Sequence, residues 1–311
     1  MNSRRPRIWA GRKHPMLVVG LTGDVGAGKS TVSSIWASLG SHVVSADTIV
    51  AELWKRSEMV ELAVGRWGER ILTPGMALDH SAISRIVFED ETEYRWVCET
   101  IHPLVREEME RTVESLDGWV VAEIPLMFEN GVPGWIDLTV YVEAPENERV
   151  IRNASRGWDR DELRRRERWL LGSDRKKKMA DFVLCNNGTR EELEERASDL
   201  GSRFLSLSSL VRVCFALGSP EASRRLFREL SRNERVLEVE IAPGEECKWS
   251  DVFHVDPGLI VSAIVRSGDL EETMSMATRI SGEGGPVSSI LSGERRFPKE
   301  VLMRAMGSDK G

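Results

Sequence analysis

The sequence predicts an α/β fold built on a parallel sheet buried between helices, followed by a mostly α-helical C-terminal domain. Three observations predict it. Short apolar runs alternate with longer stretches of helical periodicity between Met16 and Phe204. The runs are continuous, as in strands covered on both faces. A glycine-rich turn separates the first run from the first helix. After about Ser206 this alternation gives way to helical patterns broken by glycine and serine.

Taken in order, residues 1–15 (MNSRRPRIWAGRKHP) hold five basic side chains and no acid, without the apolar core of a secretory signal, and are expected to be a disordered lead-in. Leu17 to Leu21 is the first strand. In the helix after it, Val32, Ile35, Trp36 and Leu39 recur at i, i+3, i+4 and i+7. His42–Val44, Trp119–Ile124, Leu138–Val142 and Phe182–Leu184 read as further strands, the last one ended by the Asn186-Asn187-Gly188 turn. Helices are expected at about 48–66, 81–89, 91–115, 146–156, 159–170 and 190–205. The domain of about 16–205 is then followed by a near-neutral extension, 206–311, with 14 basic and 16 acidic residues. Helix signals there precede and follow Gly218-Ser219-Pro220, and recur at 256–266, 269–280 and 297–306.

With 43 Lys and Arg against 50 Asp and Glu, the net charge of −7 argues against a general nucleic-acid coat. No apolar run approaches the ~20 residues of a membrane span. Cys98, Cys185, Cys214 and Cys247 form no CxxC pair and read as reduced cytoplasmic thiols.

The strongest chemical signal is Gly23-Asp24-Val25-Gly26-Ala27-Gly28-Lys29-Ser30-Thr31, which fits G-x4-G-K-[ST] between a strand and a helix. Glycines let successive N–H groups turn inward around phosphates, and the following helix adds its positive N-terminal end. Lys29 should reach the β- and γ-phosphates, Ser30 should hold Mg²⁺, and Thr31 should donate to a phosphate. The fold is therefore of the P-loop NTPase type with a nucleoside triphosphate site, its acceptor left open.

Two acids stand where strands end, the edge at which parallel sheets bind ligands. Asp47 follows the second strand, and its residue type fits a catalytic base or a helix cap equally. Glu123 closes the strand Trp119–Ile124 and is placed to hold a Mg²⁺-bound water. From Arg149 to Lys178 there are nine Arg and three Lys against five acids. Such a stretch suits a lid closing on the triphosphate, with Arg152 and Arg156 four apart on one helix face. Arg164, Arg165, Lys176 and Lys177 read instead as a solvated face.

Together LTGDVGAGKST, SADTIV, IHPLV at Ile101–Val105, EIPLMFE at Glu123–Glu129, RNASRGW at Arg152–Trp158 and ADFVLCNNG at Ala180–Gly188 resemble the dephospho-coenzyme A kinases. The resemblance implies a five-stranded parallel core with a helical substrate domain and a lid (about 149–178). It implies ATP-dependent phosphorylation, with Mg²⁺, of the ribose 3′-hydroxyl of dephospho-coenzyme A. Asp47 then resembles the base, Arg152 and Arg156 the lid arginines, and His102, Leu126 and Glu129 fall in substrate-facing motifs. Asn187 goes with the nucleotide. Ser45 stands where the family usually has a carboxylate, Leu170 where a glutamine is usual and Glu123 where a shorter aspartate is common. The rivals are another P-loop metabolite kinase, or a nucleotide-switched binding protein that engages a protein partner through the extension.

Overall fold

The structure, a computed structural model, describes residues 7–8, 15–244, 258–282, 288–291 and 297–307. It divides into two units, one of Val18–Ser202 and one of Met1–Leu17 with Arg203–Gly311.

A two-residue strand β1 (Arg7–Ile8) precedes the first long strand, β2 (Pro15–Gly23). Then come α1 (Lys29–Ser38), β3 (His42–Ser45), α2 (Ala46–Leu53), α3 (Ser57–Trp67), α4 (His80–Glu89) and α5 (Glu91–Glu114). β4 (Gly118–Glu123), β5 (Leu138–Glu143), α6 (Glu146–Asn153), α7 (Arg160–Glu167), α8 (Ser173–Met179) and β6 (Phe182–Cys185) follow. The helix α9 (Arg190–Leu207) ends the series.

The sheet of the first unit runs β3-β4-β2-β5-β6 with every pairing parallel where the register is defined. Leu17, Val19, Leu21, Val120, Val121, Leu138, Val140 and Val142 are all fully buried, which is why these strands read as unbroken apolar runs. The chain leaves β2 to one side for β3 and β4 and crosses to the other for β5. The loops after β2 and β4 therefore open a crevice at the carboxyl edge of the sheet. Trp36 of α1, wholly buried, fixes that helix by donating its Nε1–H to the Ala197 carbonyl of α9 at 2.7 Å.

All five strands expected here are present. The helix expected at 48–66 is two, since the chain turns at 54–56 between α2 and α3. α8 was not foreseen, because its Ser-Asp-Arg-Lys-Lys-Lys-Met run shows one apolar residue and no helical stripe.

The C-terminal unit corrects the expectation of a mostly helical domain. Its helices α10 (Pro220–Leu230), α11 (Leu270–Ser281) and α12 (Lys299–Ala305) lie near the helical patterns. Between them, however, stand β7 (Leu210–Ala216), β8 (Val236–Pro243), β9 (Leu259–Arg266) and β10 (Ser288–Leu291). The order β10-β7-β9-β8 with antiparallel neighbours and a β-α-β-β-α-β chain is the ferredoxin-like arrangement. β7 and β9 were taken for helices because both are covered on both faces. A fully buried strand and a buried helix look alike in hydropathy, and only the β-branched content of LIVSAIV separates them. Val213, Phe215, Leu226, Leu230, Val261, Ala263 and Ala277 form this unit's own core. The basic lead-in is also corrected at Arg7–Ile8, which pairs in parallel with Ile290–Leu291 of β10. Residues 1–6 and 9–14 lie outside the described residues, as does Cys247.

Candidate active site

β2 ends at Gly23 and α1 begins at Lys29, so the loop between them crowds its backbone into the crevice. Gly26 and Gly28 adopt φ of 75° and 100°. A Cβ on Gly26 would lie 2.1 Å from Asn153 Nδ2, and one on Gly28 2.5 Å from Asn186 Nδ2, so both conformation and space demand glycine. The N-cap of α1 is Gly28, which has no side chain to cap it. The N–H groups of Lys29 and Ser30 are thus left for an anion, while that of Thr31 donates to the Gly28 carbonyl at 3.1 Å. Lys29 Nζ donates to the carbonyls of Gly23 at 2.9 Å and Asp24 at 3.0 Å. Burial pushes the Lys29 ammonium below its ordinary pKa, against the opposing pull of Glu123, Asp47 and Asp24.

Asp47 lies in the first turn of α2, whose N-cap is Ser45. It faces a cavity of about 690 Å³, also lined by Gly23, Lys29, Ser30, Thr31 and Glu123. Water reaches its carboxylate, yet protein crowds it on most sides. That desolvation raises its pKa above the usual aspartate value, although Lys29 and Arg156 pull the other way. Glu123, at the end of β4, is buried and accepts from Ser30 Oγ at 3.3 Å and Ser33 Oγ at 3.1 Å.

The same cavity runs from the loop to an apolar pocket walled by Val87, Tyr94, Val105, Met109, Leu126 and Trp135. His102 of α5 stands at its rim, its Nδ1 3.1 Å from Asn130 Nδ2. Burial lowers the His102 pKa below its ordinary value, against the opposing hydrogen bond with Asn130. Arg106, one turn on, donates to the Asn130 carbonyl at 2.8 Å. The segments IHPLV and EIPLMFE thus meet across this pocket.

On the opposite side lie α6 to α8. Arg152 donates to Asn186 Oδ1 at 3.2 Å while its Nη1 is buried with no partner among the described residues. Asn186 in turn donates to the Ala27 carbonyl at 2.8 Å, tying β6 to the phosphate loop. Arg149 is buried, donates to the Val25 carbonyl at 3.2 Å and pairs with Glu167 of α7. Arg156 and Arg166 both approach the Trp158 ring, at 5.4 and 3.8 Å.

Of the residues singled out from the sequence, Gly23, Val25, Gly26, Gly28, Lys29, Ser30, Thr31, Asp47, His102, Glu123, Leu126, Arg152 and Arg156 share this one cavity. Four do not line it. Ala27 is fully buried beneath the loop. Asp24 points away from it and accepts from Tyr141 Oη and Ser173 Oγ, both at 2.6 Å. Burial would raise its pKa, but those hydrogen bonds with the charges of Lys176 and Arg149 hold it below the usual value. Glu129 accepts from the Leu171 N–H at 3.1 Å, and Asn187 is exposed and accepts from Arg196 at 3.0 Å. Lys176, expected on a solvated face, is 2% exposed. The sequence places Trp158 and Arg166 in the arginine-rich lid stretch without a role of their own, and it carries no signal for Asn186, Asn130 or Arg106. The aromatic neighbours of Arg166 are far apart in the chain, so no spacing rule picks them out.

A family model for dephospho-CoA kinase matches residues 17–192. A dephospho-CoA kinase of Thermobifida fusca is 33% identical over 190 residues, covering 60% of this chain and 94% of the relative. One from Thermus thermophilus is 36% identical over 184 residues, covering 58% of this chain and 88% of the relative. A solved Thermus thermophilus structure, 36% identical, covers 60% of this chain and 96% of its own, with a TM-score of 0.49. Nearly all of each relative is matched, and the family model ends before the C-terminal unit begins.

Proposed function

The chain belongs to the dephospho-CoA kinase family, and on that premise we propose how its residues carry out the reaction. The reaction itself is the ATP-dependent phosphorylation of dephospho-CoA to CoA. One observation supports the residue assignment most strongly: a single cavity joins the phosphate loop and Asp47 to the apolar pocket of the IHPLV and EIPLMFE motifs. Donor triphosphate and a long, partly apolar acceptor need that continuity, because the acceptor hydroxyl must reach the γ-phosphorus in line.

Asp47 accepts the proton of the ribose 3′-hydroxyl as that oxygen attacks. Its raised pKa makes it a stronger base than an ordinary aspartate. Lys29 leaves the Gly23 and Asp24 carbonyls for the β- and γ-phosphates, and the loop N–H groups and α1 hold the β-phosphate. Arg152 and Arg156 follow the charge onto the transferring group. The buried, unpartnered Arg152 Nη1 supports this, since a guanidinium donor kept from water needs an anion.

Ser30 Oγ and Glu123 Oε1 lie 3.3 Å apart beside the loop. No cluster of three or more carboxylate, imidazole or thiol ligands exists among the described residues. One hydroxyl and one carboxylate fit Mg²⁺, which keeps waters and phosphate oxygens as its other ligands. When bound, the ion neutralises charge on the β- and γ-phosphates.

Cys98 and Cys185 are free thiols, in keeping with a reducing cytoplasm. The C-terminal unit lies beyond the family match, and we assign it a role other than phosphoryl transfer, with a protein partner as the expected class. Phosphate transfer from ATP to dephospho-CoA tests the central reading. Failure with that acceptor, alongside transfer to adenylate or gluconate, overturns it.

A further inference from the structure

Arg166 of α7 lies between two aromatic rings. Its guanidinium carbon is 3.8 Å from the centroid of Trp158 and 4.8 Å from that of Phe88 on α4. Its Nε donates to Glu162 Oε1 at 2.8 Å, one helical turn back. A planar cation held by rings and by an Nε bond has its plane fixed, and its terminal amino groups stay free of that bond. All three residues line the catalytic cavity.

The position of Arg166 separates it from Arg149 and Arg152, while Arg156 shares its Trp158 ring and Arg106 lies at the acceptor pocket. Arg149 donates to a carbonyl of the phosphate loop, and Arg152 donates to Asn186, which donates to that loop. Those groups belong to the donor nucleotide. Arg166 instead rests on Phe88, whose helix α4 supplies Val87 to the apolar acceptor pocket. Dephospho-CoA carries a diphosphate between its adenosine and its pantetheine arm. The acceptor side must neutralise that charge, and Arg166 brings a permanent cation to it.

We infer that Arg166 binds the diphosphate of the acceptor, and that Trp158 is a positioning residue that fixes its guanidinium for that task. The inference rests on the reading of dephospho-CoA as acceptor. It makes the stack a specificity device, favouring an acceptor with a diphosphate over one without. Phe88, Trp158 and Arg166 also line a second, polar cleft of about 500 Å³. The stack thus borders both spaces, and Trp158→Phe, which keeps a ring there, guards the test against a loss of folding in Trp158→Ala.

The test uses full-length protein with Trp158→Ala, Trp158→Phe and Arg166→Met. KM is measured for ATP and for dephospho-CoA, and calorimetry measures affinity for dephospho-CoA and for adenylate, which lacks the diphosphate. Trp158→Ala should raise KM for dephospho-CoA about tenfold with KM for ATP within about twofold, and kcat should fall as well because Arg156 rests on the same ring. Trp158→Phe, which keeps a ring face, should recover most of the loss. Arg166→Met should weaken dephospho-CoA binding by at least tenfold and leave adenylate binding unchanged. A rise in KM for ATP instead would move Arg166 to the donor side. Equal loss of adenylate and dephospho-CoA affinity, or no loss of either, overturns the diphosphate assignment. A wild-type enzyme that binds ATP but neither binds nor phosphorylates dephospho-CoA would refute the acceptor reading itself.

Discussion

Lys176 Nζ lies 3.2 Å from Asp24 Oδ1, and the two side chains are 2% and 6% exposed. A second carboxylate, Glu129 Oε1, is 3.3 Å from the same ammonium. Asp24 belongs to the phosphate loop, Glu129 to the EIPLMFE motif and Lys176 to α8. The loop is therefore anchored from beneath by the segment that carries the arginines, through a charge cluster shielded from water. Tyr141 and Ser173 complete the shell of Asp24, so its carboxylate is well satisfied.

Removing the cation leaves two buried carboxylates facing each other. Lys176→Met is expected to cost about 3–5 kcal/mol, read by denaturant unfolding, because breaking a buried pair strands its partner. Asp24→Asn keeps the shape and should cost less. The pKa of Asp24 is lower in the folded than in the unfolded protein. Its contribution is thus complete above its unfolded value of about 3.8 and is lost as pH falls further. Asp24→Asn should remove that acid-side loss, and an unchanged stability profile from pH 5 to 2 would show that the pair contributes nothing.

Asp47 is the base of the proposed reaction, so its ionisation must appear in the rate. Desolvation raises its pKa. The acid limb of kcat/KM should then lie above the aspartate value of 3.8. Asp47→Asn should lower kcat about 10²–10⁴-fold while ATP binding stays near normal. Near wild-type turnover in that variant would remove Asp47 from the chemistry.

Glu123 and Ser30 supply the protein's share of the proposed magnesium site. Glu123→Gln keeps the shape and one accepting oxygen for Ser30 or Ser33 but loses the charge and the second acceptor. The magnesium concentration for half-maximal rate should rise about tenfold, the scale of lost metal-supporting contacts. Titration of activity with magnesium at saturating ATP measures this. An unaltered midpoint would leave Glu123 a structural partner of α1.

What was readable in the sequence follows from how local each constraint is. Gly26, Gly28, Lys29 and Ser30 were legible because the phosphate loop needs those residue types at that spacing. Asp47 and Glu123 were legible because each follows a strand, and strand ends face the site. The side chain of Asp24 was not legible, since a motif fixes positions without saying which side chains turn beneath the loop. Lys176 was misread because its partners are 152 and 47 residues away, and a lone lysine in a basic run looks solvated. The choice of Asn187 over Asn186 is a register error of one residue, enough to exchange a buried group for an exposed one. In the C-terminal unit, 210–216 and 259–266 were misread for the opposite reason. They are apolar on both faces, so hydropathy had no period to report.

The C-terminal unit has its own core, and Phe215 of β7 is fully buried in it. Phe215→Ala should destabilise this unit by about 3–5 kcal/mol, the cost of emptying a buried aromatic site. Hydrogen exchange of the α10 and α11 amides would show the loss locally. All residues lining the catalytic cavity lie within Val18–Ser202. Below the unfolding temperature of the variant, kcat and KM for dephospho-CoA should therefore stay within about twofold of wild type. A severalfold drop in kcat while α10 and α11 keep their protection would instead give the ferredoxin-like unit a direct part in catalysis.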